Sequence, residues 1–224
     1  MKKLVLLPGL DGTGLLFQPL LEQLGTDIET QIIAYPRHQP LSVQELAAYV
    51  CEKVVLDQDT VLLVESFSGL VAWELLQRGI QPASVIFCAS FVSAPRPLLL
   101  KLAKILPLRY LFKLAFSDTA LAFSRVNPEL KPLLRQARLH ISTDVLAYRL
   151  GLIADAILLL KQQPFQTPGY YLQAANDWAV PSRGIETLRP YFNGLVVEKI
   201  DSSGHFLLQT QPAKCADIIK SICQ

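Results

Sequence analysis

The sequence predicts an α/β fold: one mostly parallel sheet, covered by helices on both faces, with a helical segment inserted after the strand ending near Ala89. Three observations carry this expectation. Short β-branched or leucine-rich runs alternate with longer stretches of helical periodicity, and alternation of that kind brings each strand back to the same end of a sheet. The chain has 224 residues, is 51% hydrophobic and has a net charge of +2, which suits one domain with a substantial core and excludes a largely disordered chain. One long interval, residues 91–165, breaks the alternation and contains no good strand.

Taken in order, the first strand is expected at Lys3–Pro8, where Leu4, Val5, Leu6 and Leu7 form an apolar run. The basic start and this run imitate a signal peptide, but Pro8, Gly9 and Asp11 end it well short of an h-region and no small-residue cleavage site follows. A helix over Leu16–Leu24 leads to a strand at Thr30–Tyr35, and a helix over Val43–Leu56 leads to the apolar strand Thr60–Glu65. Gly69–Arg78 has helical spacing, and Ala83–Ala89 closes the first half as a strand. The second half resumes with strand Gly169–Ala174, helix Ser182–Phe192, strand Leu195–Ile200 and helix Pro212–Ile222. The expected organisation is a core of residues 1–90 and 166–224, with 91–165 as a helical cap, because an insertion of that length between strands of a compact sheet is usually functional.

Several classes of function are set aside by composition. The longest stretch without a charged residue, Gly79–Pro95, holds two prolines and several polar residues and makes a poor membrane span. The four cysteines (Cys51, Cys88, Cys215, Cys223) show no C-x-x-C spacing and have no neighbouring histidine, so no metal site and no disulfide framework is expected. They suit free thiols in a reducing cytoplasm. No nucleic-acid partner and no cofactor are expected.

Chemistry is carried by loops after strands. From Val61 to Ala72 an apolar strand runs directly into an apolar-faced helix, with Ser66 at the joint. This is the sequence form of a nucleophile elbow, a tight turn that lifts one hydroxyl above the sheet edge and aims a helix N-terminus at it. Strand and helix can approach closely only if the flanking residues are small. Ser68 and Gly69 meet this requirement on the far side, whereas Val64 stands where glycine is usual. A serine in this place also reads as a helix cap, and Ser68 is a rival nucleophile, although it sits later and is flanked by Ser66 and Leu70.

A serine hydroxyl needs a base, and the base needs a carboxylate to orient it. Of the three histidines, His205 lies in Asp201–Leu207, between the last expected strand and the last helix, while His38 and His140 read as surface residues. The loop after the preceding strand, Tyr171–Pro181, contains one carboxylate, Asp177. An isolated aspartate is usually a turn former, but the order Ser66, Asp177, His205, each just after a strand, favours a catalytic triad. After the first strand, Gly9, Gly12 and Gly14 form a loop able to bring backbone N–H groups close to a ligand, and the oxyanion hole is assigned to the N–H groups of Leu10 and Phe67. The G-x-x-G-x-G spacing, with no Gly-Lys-Ser/Thr, argues against a nucleotide site.

Together the Pro-Gly-Leu-Asp-Gly-Thr-Gly loop, the Glu-Ser-Phe-Ser-Gly elbow, the Asn-Asp-Trp-Ala-Val-Pro loop and the Ser-Gly-His-Phe-Leu loop resemble the α/β-hydrolase superfamily, in its order and over the whole chain except the cap. The resemblance implies a minimal version of that fold, lacking the antiparallel strands that usually precede the oxyanion loop. It also implies an acyl-enzyme on Ser66, with ester hydrolysis, thioester hydrolysis and acyl transfer left open because all three use that intermediate. A non-catalytic ligand receptor on the same fold is the alternative of another class.

The cap suggests a substrate. Residues 91–150 hold ten basic and three acidic residues, against 11 and 16 in the remainder. An apolar, cationic cap suits an acyl group attached to something anionic. In plan the chain is similar to the pimeloyl-acyl-carrier-protein methyl ester esterases of biotin synthesis, which implies docking of an acidic acyl carrier protein, with Arg135, Arg138 and Arg149 as candidate contacts. Two further readings of the charge stand beside it: lysines and arginines that only keep leucine-rich helices soluble, and attachment to a membrane surface through Pro97–Phe116. Glu65, beside the nucleophile, reads either as a structural residue or as one that tunes the local field.

Overall fold

A computed structural model of the chain describes residues 2–97, 127–128, 130–157 and 163–224. Among them six strands form one sheet: β1 (Lys3–Leu7), β2 (Thr30–Ile32), β3 (Thr60–Glu65), β4 (Ser84–Cys88), β5 (Gly169–Ala174) and β6 (Val196–Ile200). Their order is β2-β1-β3-β4-β5-β6, and every pairing is parallel. The expected sheet is therefore present, with each strand within a few residues of its expected position.

Alternation along the strands separates two cores. Leu4, Leu6, Val61, Leu63, Ile86 and Leu172 point to one face, where they meet Leu20 and Leu24 of α1 (Gln18–Leu24) and Cys215, Ala216 and Ile219 of the last helix, Pro212–Cys223. Val5, Leu7, Leu62, Val64, Val85 and Phe87 point to the other face. There they pack on Leu46 and Val50 of α2 (Val43–Lys53), Val71 and Leu75 of α3 (Ser68–Gln77), and Ile185 and Leu188 of the Arg183–Leu188 helix. Helices on both faces explain why the central strand β3 is buried along its whole length and apolar between Thr60 and Glu65.

Departures from the expected boundaries have local causes. Strand β2 ends at Ile32 instead of Tyr35: Ile33 still donates to Leu6 O (3.0 Å), but Tyr35 has left the sheet and its N–H donates to Gly12 O (2.8 Å). The expected helix over Ser182–Phe192 is an α-helix only to Leu188 and a 3₁₀ turn over Arg189–Tyr191, where Pro190 supplies no N–H. A short helix, Leu207–Thr210, follows His205 directly and was not expected.

Between β4 and β5 two helices are described, Leu130–Leu139 and Thr143–Asp155. The first lays Leu130, Leu134 and Ala137 against Leu15, Leu16 and Phe206; the second turns Val145 and Leu146 toward Leu10. Both therefore sit against loops at the C-terminal ends of the strands. The expected membrane-contact stretch lies, apart from Pro97, outside the described residues, as do Lys101, Lys104, Arg109, Lys113 and Arg125. Among the described residues no helix is long and apolar enough to cross a membrane.

One tight backbone approach in this frame is at Gly69, in the first turn of α3. A Cβ added there would collide with the Phe91 carbonyl oxygen and the Ser90 Oγ, neither of which is the end of a long flexible side chain. Gly69→Ala is expected to destabilise the fold by about 1–3 kcal/mol, as overpacking does. Urea unfolding of the two proteins measures the difference, and equal midpoints would show that the contact between α3 and the segment after β4 can relax.

Candidate active site

The strand order reverses direction at β1 and β3, so the loops that follow them diverge to opposite faces and leave a crevice at the C-terminal edge, where open parallel sheets bind ligands. Ser66 follows β3 at this crevice with φ 49°, in the left-handed region that residues with a side chain avoid. Its backbone is held on both sides. Ser66 N–H donates to Cys88 O (3.0 Å), and Ser66 O accepts from Gly69 N–H (3.1 Å) and from Ser90 Oγ (2.6 Å). The turn thus points the hydroxyl away from the strand and places α3 directly behind it.

The three residues expected from the order of the chain meet there. Ser66 Oγ lies 3.0 Å from His205 Nε2, and His205 Nδ1 lies 3.0 Å from Asp177 Oδ2 and 3.1 Å from Oδ1. Asp177 Oδ1 also accepts the N–H groups of Ala179 and Val180, each at 2.8 Å, so the carboxylate is fixed by its own loop. Its side chain is 6% exposed and that of His205 13%, enough cover to strengthen their interaction while leaving the imidazole within reach of a ligand. Ser203 ties the two loops together. Its carbonyl accepts from Asn176 N–H (2.9 Å), while its buried Oγ accepts from Ala175 N–H (3.3 Å) and donates to Ile200 O (2.5 Å). Trp178, exposed, and Phe206 flank the imidazole, with ring centroids 6.1 and 5.7 Å from it.

Leu10 lies in the loop after β1 and Phe67 immediately after the serine, at the N-terminus of α3. Neither N–H has a backbone acceptor among the described residues. The rival serine, Ser68, is fully buried: its Oγ donates to Pro8 O and lies 2.5 Å from Tyr35 Oη, which makes it a brace between the β1 loop and α3. His38 and His140 are exposed, as expected.

One expectation for the cap is corrected. Arg149 is 2% exposed, donates from Nη1 to Leu10 O (2.9 Å) and from Nη2 to Pro36 O (3.1 Å), and stacks over the Tyr35 ring. A guanidinium committed in this way is not available for docking a partner. Arg135 is exposed and Arg138 partly so, both on the Leu130–Leu139 helix.

Sequence reasoning left Glu65 open and missed its partner Gln209, in the short helix after His205. Gln209 Nε2 donates to Glu65 Oε1 (2.9 Å) and to Leu16 O (3.1 Å), so this pair joins the elbow, the base loop and the segment after the β1 loop. Glu65 Oε2 and Gln209 Oε1 are buried and have no hydrogen-bond partner among the described residues. Burial pushes the Glu65 carboxyl up from the ordinary 4.5 to about 7; the Gln209 bond, the charge of His205 and the nearby Gly9 N–H oppose this, and Asp11 adds to it. The neutral form is therefore the one the fold prefers, and stability from this group is full below pH 4.5 and lost as the pH rises to about 7. The rise corresponds to about 3 kcal/mol. In Glu65→Gln the proton no longer matters, so the stability of wild type relative to the variant should fall by about that amount between pH 4.5 and 7, measured by denaturant unfolding; a difference that stays flat with pH would show that Glu65 is ionised throughout.

No family model matches the chain, and no curated protein matches its sequence. Solved structures do match over nearly its whole length. The lipase-esterase related protein of Clostridium acetobutylicum is similar with a TM-score of 0.76 and 13% identity, over 99% of this chain and 94% of that one. A thermophilic esterase of Thermogutta terrifontis is similar with a TM-score of 0.74 and 16% identity, over 99% and 89%. The RedJ thioesterase of the prodiginine pathway in Streptomyces coelicolor is similar with a TM-score of 0.69 and 18% identity, over 99% and 90%. The parallel six-stranded sheet and these likenesses show that the chain has the α/β-hydrolase fold.

Proposed function

We propose that the chain is a serine hydrolase that cleaves a carboxylic ester or thioester through an acyl-enzyme on Ser66. The observation that carries this reading is the unbroken path from Ser66 Oγ to His205 Nε2 (3.0 Å) and from His205 Nδ1 to Asp177 Oδ2 (3.0 Å). With Nδ1–H donated to Asp177, Nε2 is the free acceptor that takes the serine proton as Oγ attacks the acyl carbon. The N–H groups of Leu10 and Phe67 serve the oxyanion that forms. His205 then returns its proton to the departing alcohol or thiol, activates a water molecule, and the second tetrahedral intermediate collapses to acid and free Ser66.

The ester reading is supported by the esterases similar in structure, and the thioester reading by the RedJ thioesterase. For either substrate the acyl group can be attached to an acidic acyl carrier protein, as in hydrolysis of an acyl-carrier-protein methyl ester in biotin synthesis. Arg135 and Arg138 support this finer reading. They lie on the helix that packs Leu130, Leu134 and Ala137 beside Phe206, next to the base, so an anionic carrier held there would deliver its acyl chain toward Ser66.

Ser66→Ala should lower turnover of p-nitrophenyl esters and acyl thioesters by several orders of magnitude, up to about a million-fold, with an unchanged circular dichroism spectrum. A fluorophosphonate should label the wild type and not the variant. Label that survives the substitution would move the nucleophile elsewhere, and ligand binding with no turnover of any ester would make the chain a receptor. If the carrier reading holds, affinity for acyl carrier protein should fall steeply with added salt and with Arg135→Glu or Arg138→Glu; salt-independent affinity would exclude it.

A further inference from the structure

The Arg149 side chain is expensive where it lies. It is buried, and among the described residues no carboxylate comes within ion-pair distance, so its charge is met by two carbonyl dipoles and the face of Tyr35. Burial lowers its pKa from the ordinary value, opposed by Tyr35 and by Asp11. A leucine or methionine would dock the Thr143–Asp155 helix at less cost. What an apolar side chain cannot do is hold two carbonyl oxygens and place positive charge behind the loop where negative charge develops in catalysis.

The surroundings are shaped to admit the guanidinium. Gly12, at φ 68°, lies against it, and any Cβ there would collide with it. Nη1 holds the carbonyl of Leu10, the residue whose N–H is one candidate oxyanion donor. The Tyr35 ring beneath the guanidinium extends the hold to the other donor. Its edge packs on Phe67 (6.4 Å, 83°), its N–H holds Gly12 O, and its hydroxyl meets Ser68 Oγ, which in turn holds Pro8 O.

We propose that Arg149 is a positioning residue for the oxyanion hole: seated on Tyr35, its guanidinium sets the Leu10 and Phe67 N–H groups relative to each other, so that the hole is complete only when the Thr143–Asp155 helix is in place. The proposal rests on the hydrolase reading above and adds to it a specific route by which the inserted segment acts on catalysis.

The test compares full-length wild type, Arg149→Lys and Arg149→Met, with active sites titrated by a fluorophosphonate. Per titrated site, kcat and KM are measured on one p-nitrophenyl ester, together with the inhibition constant of a trifluoromethyl ketone that forms a tetrahedral adduct. Arg149→Met should lower kcat about 100-fold, comparable to losing one oxyanion donor, and weaken the ketone by the same factor while KM stays within about threefold. Arg149→Lys should fall between. A loss confined to the number of titratable sites, or a raised KM with unchanged kcat, would overturn the proposal by making Arg149 a structural or pocket residue. Should Arg149→Met fail to fold, Tyr35→Phe carries the same test, with a loss of about tenfold in kcat and in ketone affinity expected and an unchanged kcat overturning it. A wild type that neither labels nor turns over esters defeats the hydrolase reading and this proposal with it, whereas an active wild type with indifferent variants defeats this proposal alone.

Discussion

Ser66 must hold a backbone angle, φ 49°, that costs an alanine-like residue on the order of 1–3 kcal/mol, and it does so because the chain on either side is over-determined. Before it, β3 is buried between β1 and β4; after it, α3 is pressed so closely against the segment following β4 that position 69 has room only for hydrogen. The Ser66 carbonyl is held by Ser90, whose own carbonyl accepts the Tyr171 hydroxyl at 2.8 Å. Strain at one residue is thus offset by contacts from β3, α3, β4 and β5. The neighbouring side chains are placed from that turn: the His205 ring reaches Ser66 from beyond β6, and Asp177 reaches the ring from beyond β5.

Two carboxyl groups lie near the same imidazole and are prepared differently. Asp177 accepts two backbone N–H groups as well as the histidine, a set of donors that suits a carboxylate. Glu65 receives one side-chain amide and is buried, and burial favours its neutral form. Separation of two acids by environment is a common means of giving them different tasks in one site. Here Asp177 fixes the His205 ring, and Glu65 fastens the short helix behind that ring to the strand that carries Ser66.

Most of the fold was legible because parallel strands buried on both faces must be apolar, and such runs stand out between helical periods. The meeting of Ser66, His205 and Asp177 was legible for a related reason: each sits just after a strand, so chain order stood in for position. The role of Arg149 was hidden by counting charge along the inserted segment without phasing it. Val145, Leu146, Arg149 and Ile153 recur at helical spacing and share the buried face of one helix, a signal that would have turned the arginine inward. Tyr35 was read as the end of a strand because nothing local marks the point where β2 leaves the sheet to reach the β1 loop. The Leu207–Thr210 helix, too short to show a period, concealed Gln209.

The two tryptophans sit in opposite surroundings. Trp73 is enclosed by Phe165 and Tyr191, in edge-on contact at 5.1 and 4.9 Å, whereas Trp178 is 68% exposed at the rim beside His205. Their fluorescence consequently separates by colour: a blue-shifted component from the interior follows unfolding, and a red-shifted component from the rim, beside the His205 ring, follows occupancy. The chain therefore carries its own pair of optical reporters, one for integrity and one for events at the mouth of the site.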